Sequence, residues 1–480
     1  MNTENNQVIE QEVPAEQEKP VGREEAVEQV LPAEEKKIAT ASAGGMKKLI
    51  WAAAILCLVF AVLAGSGILR APQAVVPEMA PASFNAPPAE ENSQTSADAI
   101  VGQPVQEGQS ADAAEVPEVV AGETAETKSG RLDFDAMYAL HEGQDKVLTI
   151  GDKEESWRDY FYLLYTQCGQ IEDYFDTLAS YYGIVYRWDE AADEEGSETF
   201  AQMASENTEN IMVQLAAVEA LAEDCGVEYD ETLIEKVEKQ KQEDLVQAMG
   251  EDGKWEDFLS YLEEIYLDEE MYERLTLQNF LYQESFKTLY GEKGELLPAE
   301  EAVKYLEDNS YVSAAHILLR TKSQETGEDL SEEEKAEKKQ QLENLVSELR
   351  AMEDKQARKE AFLQAMNELS EDPGSTRYPE GYTYLPGTMV EEFETAAAAL
   401  ENYGISDVVE TSYGYHILLR LPLDADRVVE FNQTTGEPRT GRMLAANQAY
   451  SQKLQEKADT LELKWLPGYE APDLLEYVKN

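Results

Sequence analysis

Apolar residues along this chain change their spacing several times, and each change marks an element. Leu49 to Leu69 is a block without a single charge, long enough at ~1.5 Å per residue to cross a hydrocarbon core of ~30 Å. From Leu132 onward the spacing becomes helical. Trp255, Phe258, Leu259, Leu262, Ile265 and Tyr266 form one such stripe. The pattern predicts helices over 157–182, 197–225, 230–249, 254–290 (with a possible break) and 298–308, after a short strand and turn at 146–152. Most apolar positions in these helices are ordinary core; the many tyrosines also allow some to line an exposed groove.

After residue 310 the pattern alternates between strand and helix. His316-Ile317-Leu318-Leu319-Arg320 returns as His416-Ile417-Leu418-Leu419-Arg420, and each copy sits in a short apolar run that reads as a buried strand. Between them lie predicted helices at 331–352, 355–369 and 389–400. A break at Ser370-Glu371-Asp372-Pro373-Gly374 and a turn-rich loop with Pro379, Gly381, Pro386 and Gly387 separate the second helix from the third. A strand at 406–411 and a turn at Tyr413-Gly414 lead into the second copy. The order β-α-α-α-β-β predicts an α+β domain. The chain has three histidines, and two stand at matched places in twin strands. Strands of this kind, side by side in one sheet, bring two imidazoles together over a common surface. Beyond residue 425 a helix at 440–459 and a strand at 461–466 are expected.

Composition and charge settle the organisation. Lys and Arg number 39 against 98 acidic residues, a net charge of −59. Such a balance excludes nucleic acid and anionic lipid as partners. Solvated helix faces account for most of it, and attraction of basic clients or cations is the sharper reading. The expected division is a disordered acidic cytoplasmic tail over 1–46, a transmembrane anchor over 47–70 and a disordered stalk over 71–130. A helical domain over 131–309, an α+β domain over 310–424 and a C-terminal segment over 425–480 follow. Lys36, Lys37, Lys47 and Lys48 precede the anchor and Arg70 follows it, which places the N-terminus in the cytoplasm and the folded part outside. A cleaved signal peptide is the rival, disfavoured by the long acidic leader.

Cys168 and Cys225 fit either a disulfide or two buried apolar groups. No Cys-x-x-Cys pair, metal-spaced His/Cys cluster, glycine-rich phosphate loop or Gly-x-Ser-x-Gly elbow is present. No cofactor or metal is expected.

In order along the domain stand Ala314-Ala315-His316-Ile317-Leu318, Ser370-Glu371-Asp372, Gly387-Thr388-Met389-Val390-Glu391-Glu392-Phe393, and Val409-Glu410-Thr411-Ser412-Tyr413-Gly414-Tyr415-His416-Ile417-Leu418. Together these motifs resemble the parvulin-type peptidyl-prolyl cis-trans isomerases. The family's Gly-Gly-x-Leu-Gly is replaced here by Pro379-Glu380-Gly381-Tyr382-Thr383-Tyr384, and the basic phosphate-reading loop of its phospho-specific branch is missing. The resemblance implies a paired-imidazole floor of His316 and His416, with Thr411 bonded to one of them and Asp372 facing the peptide carbonyl. It also implies an apolar cup for the proline ring from Met389, Phe393 and Tyr384. Taken without the family, Asp372 before Pro373-Gly374 is a turn residue and Met389 and Phe393 are core. A mostly helical part placed ahead of such a domain resembles the extracytoplasmic foldases of the PrsA and SurA type. That implies a C-terminal segment, 425–480 here, packed back on the helices, and isomerisation of X-Pro bonds in unfolded exported polypeptides or, as the alternative, a non-catalytic holdase on the same scaffold. Nothing in the sequence decides the oligomeric state.

Overall fold

In a computed structural model of the chain, the structure describes residues 130–479 except 184, 193–195, 325, 433 and 434. The expected tail, anchor and stalk up to residue 129 lie outside these residues. Among the described residues no helix is long and apolar enough to cross a membrane.

The described chain opens with α1 (Phe134–Tyr138) and a hairpin of β1 (Lys146–Ile150) and β2 (Lys153–Ser156). Ser156 then starts α2 (Trp157–Tyr182) with a reciprocal cap: its hydroxyl accepts from Asp159 N–H, and the Asp159 carboxylate accepts from Ser156 N–H. Thr199 and Gln202 do the same for α3 (Phe200–Asp224). After α4 (Glu231–Met249), the helix expected over 254–290 is two helices, α5 (Trp255–Glu263) and α6 (Glu269–Tyr290). Tyr266 between them is left-handed, with φ 64°, and Asp268 caps the new helix by accepting from Met271 N–H. α7 (Ala299–Asp308) follows.

The α+β part comprises β3 (Val312–Arg320), α8 (Glu332–Arg350), α9 (Lys355–Leu369), β4 (Tyr382–Tyr384), α10 (Glu391–Ala398), β5 (Val409–Thr411) and β6 (Gly414–Leu421). Its four-stranded sheet runs in the order β4-β3-β6-β5 with antiparallel neighbours. β4 is an addition to the expected order, cut from the turn-rich loop. Gly381, at φ +91°, permits it, because a Cβ there would stand 2.9 Å from both Ala314 O and Ala315 Cα.

Strand alternation gives the sheet two different faces. Ala315, Ile317, Leu319, Ile417, Leu419 and Leu421 pack with Leu342, Val346, Phe362 and Met366 of α8 and α9. The opposite face carries Ala314, His316, Leu318, His416 and Leu418, and α10 lies over it through Phe393 and Ala397.

An unexpected hairpin of β7 (Val428–Phe431) and β8 (Pro438–Thr440) leads into α11 (Gly441–Ala458) and β9 (Leu463–Trp465). β9 pairs with β1, and Leu132 bridges to Val478, so both ends of the described chain belong to one sheet region. α11 packs on α3 and α7. Cys168 and Cys225 are both free thiols; Cys168 is buried in the core of the helical part.

Tyr450 secures α11. It is fully buried, its hydroxyl lies 2.5 Å from Ser285 Oγ and donates to Tyr282 O at 3.1 Å, and its ring meets Tyr282, Phe286 and Tyr290 edge-on. Tyr450→Ala should cost about 3–5 kcal/mol and Tyr450→Phe about 1 kcal/mol. Both are read from the urea unfolding transition, and an unmoved midpoint in Tyr450→Ala would contradict this account.

Candidate active site

The repeated pentapeptide pairs with itself. β3 and β6 run antiparallel with Ile317 opposite Ile417, which puts His316 opposite Leu418 and Leu318 opposite His416. The two histidines are therefore diagonal neighbours on one face. Their ring centroids lie 5.2 Å apart, and the two Nδ1 atoms face each other at 3.3 Å.

Each outer nitrogen has its own partner. His316 Nε2 donates to Asp372 Oδ2 at 2.8 Å, and His416 Nε2 lies 2.8 Å from Thr411 Oγ1. Asp372 is held there by the way its loop closes an open strand edge. β4 covers only the first residues of β3, so further along Leu318 N–H donates to Ser370 Oγ, Glu371 N–H to Leu318 O, and Arg320 N–H to the Glu371 carboxylate. Lys338 of α8 fixes that carboxylate with two contacts of 2.7 Å. Asp372 is a turn residue as well as a site residue: Oδ1 accepts from Gly374 N–H while Oδ2 meets His316.

Thr411 is placed by the tight turn into β6. Gly414 has φ +145°, and a Cβ there would approach Leu319 O to 2.3 Å. Thr411 Oγ1 accepts from Tyr413 N–H at 3.1 Å.

Burial and partners divide the charges. Burial acts to raise the Asp372 carboxyl, but the hydrogen bond and charge of His316, with donors from Tyr382 and Gly374, outweigh it and bring it down to about 2. Burial, reinforced by neighbouring His316, pushes His416 down to about 3, so its ring is neutral at physiological pH. One proton occupies the Nδ1–Nδ1 contact, and the hydrogen bonds allow two consistent placements. With the proton on His416 Nδ1, its Nε2 accepts from the Thr411 hydroxyl. With the proton on His316, that ring is a cation, His416 Nε2–H donates to Thr411, and the hydroxyl turns to Gly414 O at 3.5 Å.

Phe393 forms the apolar wall, edge-on to His316 at 5.2 Å and to His416 at 6.2 Å. Met389 packs against the same cluster at the rim. Glu394 holds the rim loop by accepting from Gly387 and Met389 N–H at 2.8 and 2.9 Å. Tyr384 is 5% exposed and backs Phe393 at 5.9 Å.

Tyr382 of the same loop reaches the histidines, its ring 5.5 Å from His316. Asp372 faces His316 and Tyr382, whose hydroxyl donates to Oδ2 at 2.6 Å. Tyr382 was legible in principle, because it alternates with Tyr384 and shares its face. Glu394 acts on backbone N–H groups and left no comparable pattern, whereas Ser370 and Glu371 stand in the Ser370-Glu371-Asp372 motif.

Residues 316–421 match the model of the rotamase family, the PPIC-type PPIASE domain. The foldase protein PrsA of Geobacillus kaustophilus is 32% identical over 168 residues, covering 32% of this chain and 57% of that protein. The foldase protein PrsA of Oceanobacillus iheyensis is 26% identical over 270 residues, covering 55% of this chain and 76% of the relative. The crystal structure of the peptidylprolyl isomerase PrsA from Bacillus cereus aligns over 56% of this chain and 84% of that one, at 23% identity and a TM-score of 0.18. Residues 316–421 are thus a parvulin-type rotamase domain, carried in a chain similar to the PrsA foldases.

Proposed function

We propose that the chain is a peptidyl-prolyl cis-trans isomerase acting as a foldase on unfolded exported polypeptides. The observation that carries this reading is the buried pair His316–His416, bracketed by Asp372 and Thr411 beneath Phe393. Rotation about an X-Pro bond faces a barrier of ~18–20 kcal/mol, because the C–N bond has partial double-bond character. A catalyst must bind the twisted amide better than either planar form. In the twisted state the nitrogen is uncoupled from the carbonyl and the proline ring swings against its surroundings. Phe393 and Met389 form a dry wall for that ring, and the imidazole pair is a preorganised polar floor whose dipoles need not reorganise as charge shifts. No residue acts as a nucleophile, and no cofactor is required.

The helical part, residues 131–309 with 425–480, would hold the client near this site. Tyr229 at 58% and Tyr181 at 81% exposure offer it apolar surface. The charge-free stretch within 47–70 would anchor the chain as a single span with the folded part outside the cytoplasm, on a stalk over 71–130.

Protease-coupled proline isomerisation by the full-length chain tests the reading. His316→Ala and Asp372→Ala should each lower kcat/KM by about ten- to a hundredfold with circular dichroism unchanged. Absence of turnover in the wild type, with aggregation of an unfolded client still suppressed, would establish a holdase instead.

Acid should loosen the same site. His416 lies far below its ordinary 6.5 in the folded state, so the unfolded chain binds more protons from about pH 6.5 down towards 3. Stability present above 6.5 is lost across that window, with Asp372 adding to the loss as pH falls from about 4 towards 2. Thermal unfolding of the wild type should fall more steeply below pH 6.5 than that of His416→Gln; parallel curves would contradict the assignment.

A further inference from the structure

Tyr382 connects the imidazole pair to a part of the chain that lies outside the rotamase domain. Its hydroxyl and His316 Nε2–H donate to the same oxygen, Asp372 Oδ2, at 2.6 and 2.8 Å. Its ring packs edge-on to His316 at 5.5 Å. The outer side of that ring is covered by Tyr378, at 4.7 Å and 35°. Tyr378 in turn meets Phe431 at 5.4 Å, edge-on. Phe431 belongs to β7, and the Arg377 guanidinium covers its ring at 4.2 Å. The β7–β8 hairpin runs directly into α11, whose cap residue Thr440 is the last residue of β8. A continuous chain of ring contacts thus leads from the C-terminal segment to the carboxylate that orients His316.

We propose that Tyr382 is a positioning residue for the Asp372–His316 pair, and that Phe431 of the C-terminal hairpin holds it in place through Tyr378. The proposal rests on the isomerase reading of the site. Its chemistry follows from the donor count. With the phenol, Oδ2 accepts two hydrogen bonds. Without it, Oδ2 keeps only the bond from His316, and the carboxylate is held by that bond and by Gly374 N–H on Oδ1. The ring contacts matter because the backbone pairing of Tyr382 with Ala314 places the residue but not the rotation of its ring. Aromatic pairs in such edge-on and offset arrangements are directional as well as apolar, so they transmit where the hairpin sits. The titratable groups facing Asp372 are His316 from β3, His416 from β6 and Tyr382 from β4. Tyr378 lies one ring further out, within the fields of Arg377 and Glu430.

The test uses the full-length chain with three kinds of variant. Tyr382→Phe keeps the ring and removes the donor. Phe431→Ser removes the support, and Phe431→Tyr restores it as the conservative control. With Tyr382→Phe, kcat/KM for a proline peptide should fall about three- to tenfold, carried by kcat more than KM. The acid limb of its pH profile should move up by about one unit, because the carboxylate has lost a donor to its charged form. Phe431→Ser should shift the profile in the same direction by less, and Phe431→Tyr should restore it. The 15N spectrum of histidine-labelled protein gives a readout independent of turnover. The chain has three histidines, and the signal from His316 Nε2 should move in Tyr382→Phe and Phe431→Ser but not in Phe431→Tyr. A wild type without turnover would fail the isomerase reading while the 15N shifts still decide this one. An unmoved profile and spectrum in Tyr382→Phe would overturn the proposal. A change in Tyr382→Phe with none in Phe431→Ser would overturn the part assigned to the hairpin.

Discussion

Two buried imidazoles whose Nδ1 atoms face each other across 3.3 Å must share a single proton, and that constraint organises the site. Two bare lone pairs would repel, and two N–H groups would collide. The rings must therefore differ in state although they arise from identical pentapeptides in a nearly twofold strand pair. The surroundings supply the difference: a carboxylate stands at one outer nitrogen and a hydroxyl at the other. A symmetric backbone is thereby made into an asymmetric polar floor, with a full negative charge on one side only.

The supporting structure can be traced from that floor outward. Asp372 needs the Ser370–Glu371 loop, and that loop needs the stretch of β3 edge that β4 leaves uncovered. Thr411 needs the turn that only glycine permits at position 414. The apolar face of the sheet is committed to α8 and α9, so the histidine face is left to a single short helix.

Much of this was legible in the sequence because it rested on long periodic segments or on a repeated motif. The helices at 157–182 and 355–369 follow from apolar spacing sustained over many turns. The two histidines announce themselves by position alone. What escaped was short. A three-residue strand such as β4 shows too little alternation to separate it from a loop, and its existence depends on backbone space made by Gly381. The break between α5 and α6 is a left-handed tyrosine, a conformation that propensity argues against and that tertiary contacts enforce. The β7–β8 hairpin has no two-residue turn of the usual composition to mark it.

The pairing of β1 with β9 has a bearing on how the protein is made. The first strand of the helical part leaves the ribosome before the rotamase segment, and its partner leaves after it. The rotamase segment between them has all its sheet partners within its own span. It is therefore free to fold as soon as it emerges, whereas the helical part closes its sheet only once β9 has followed.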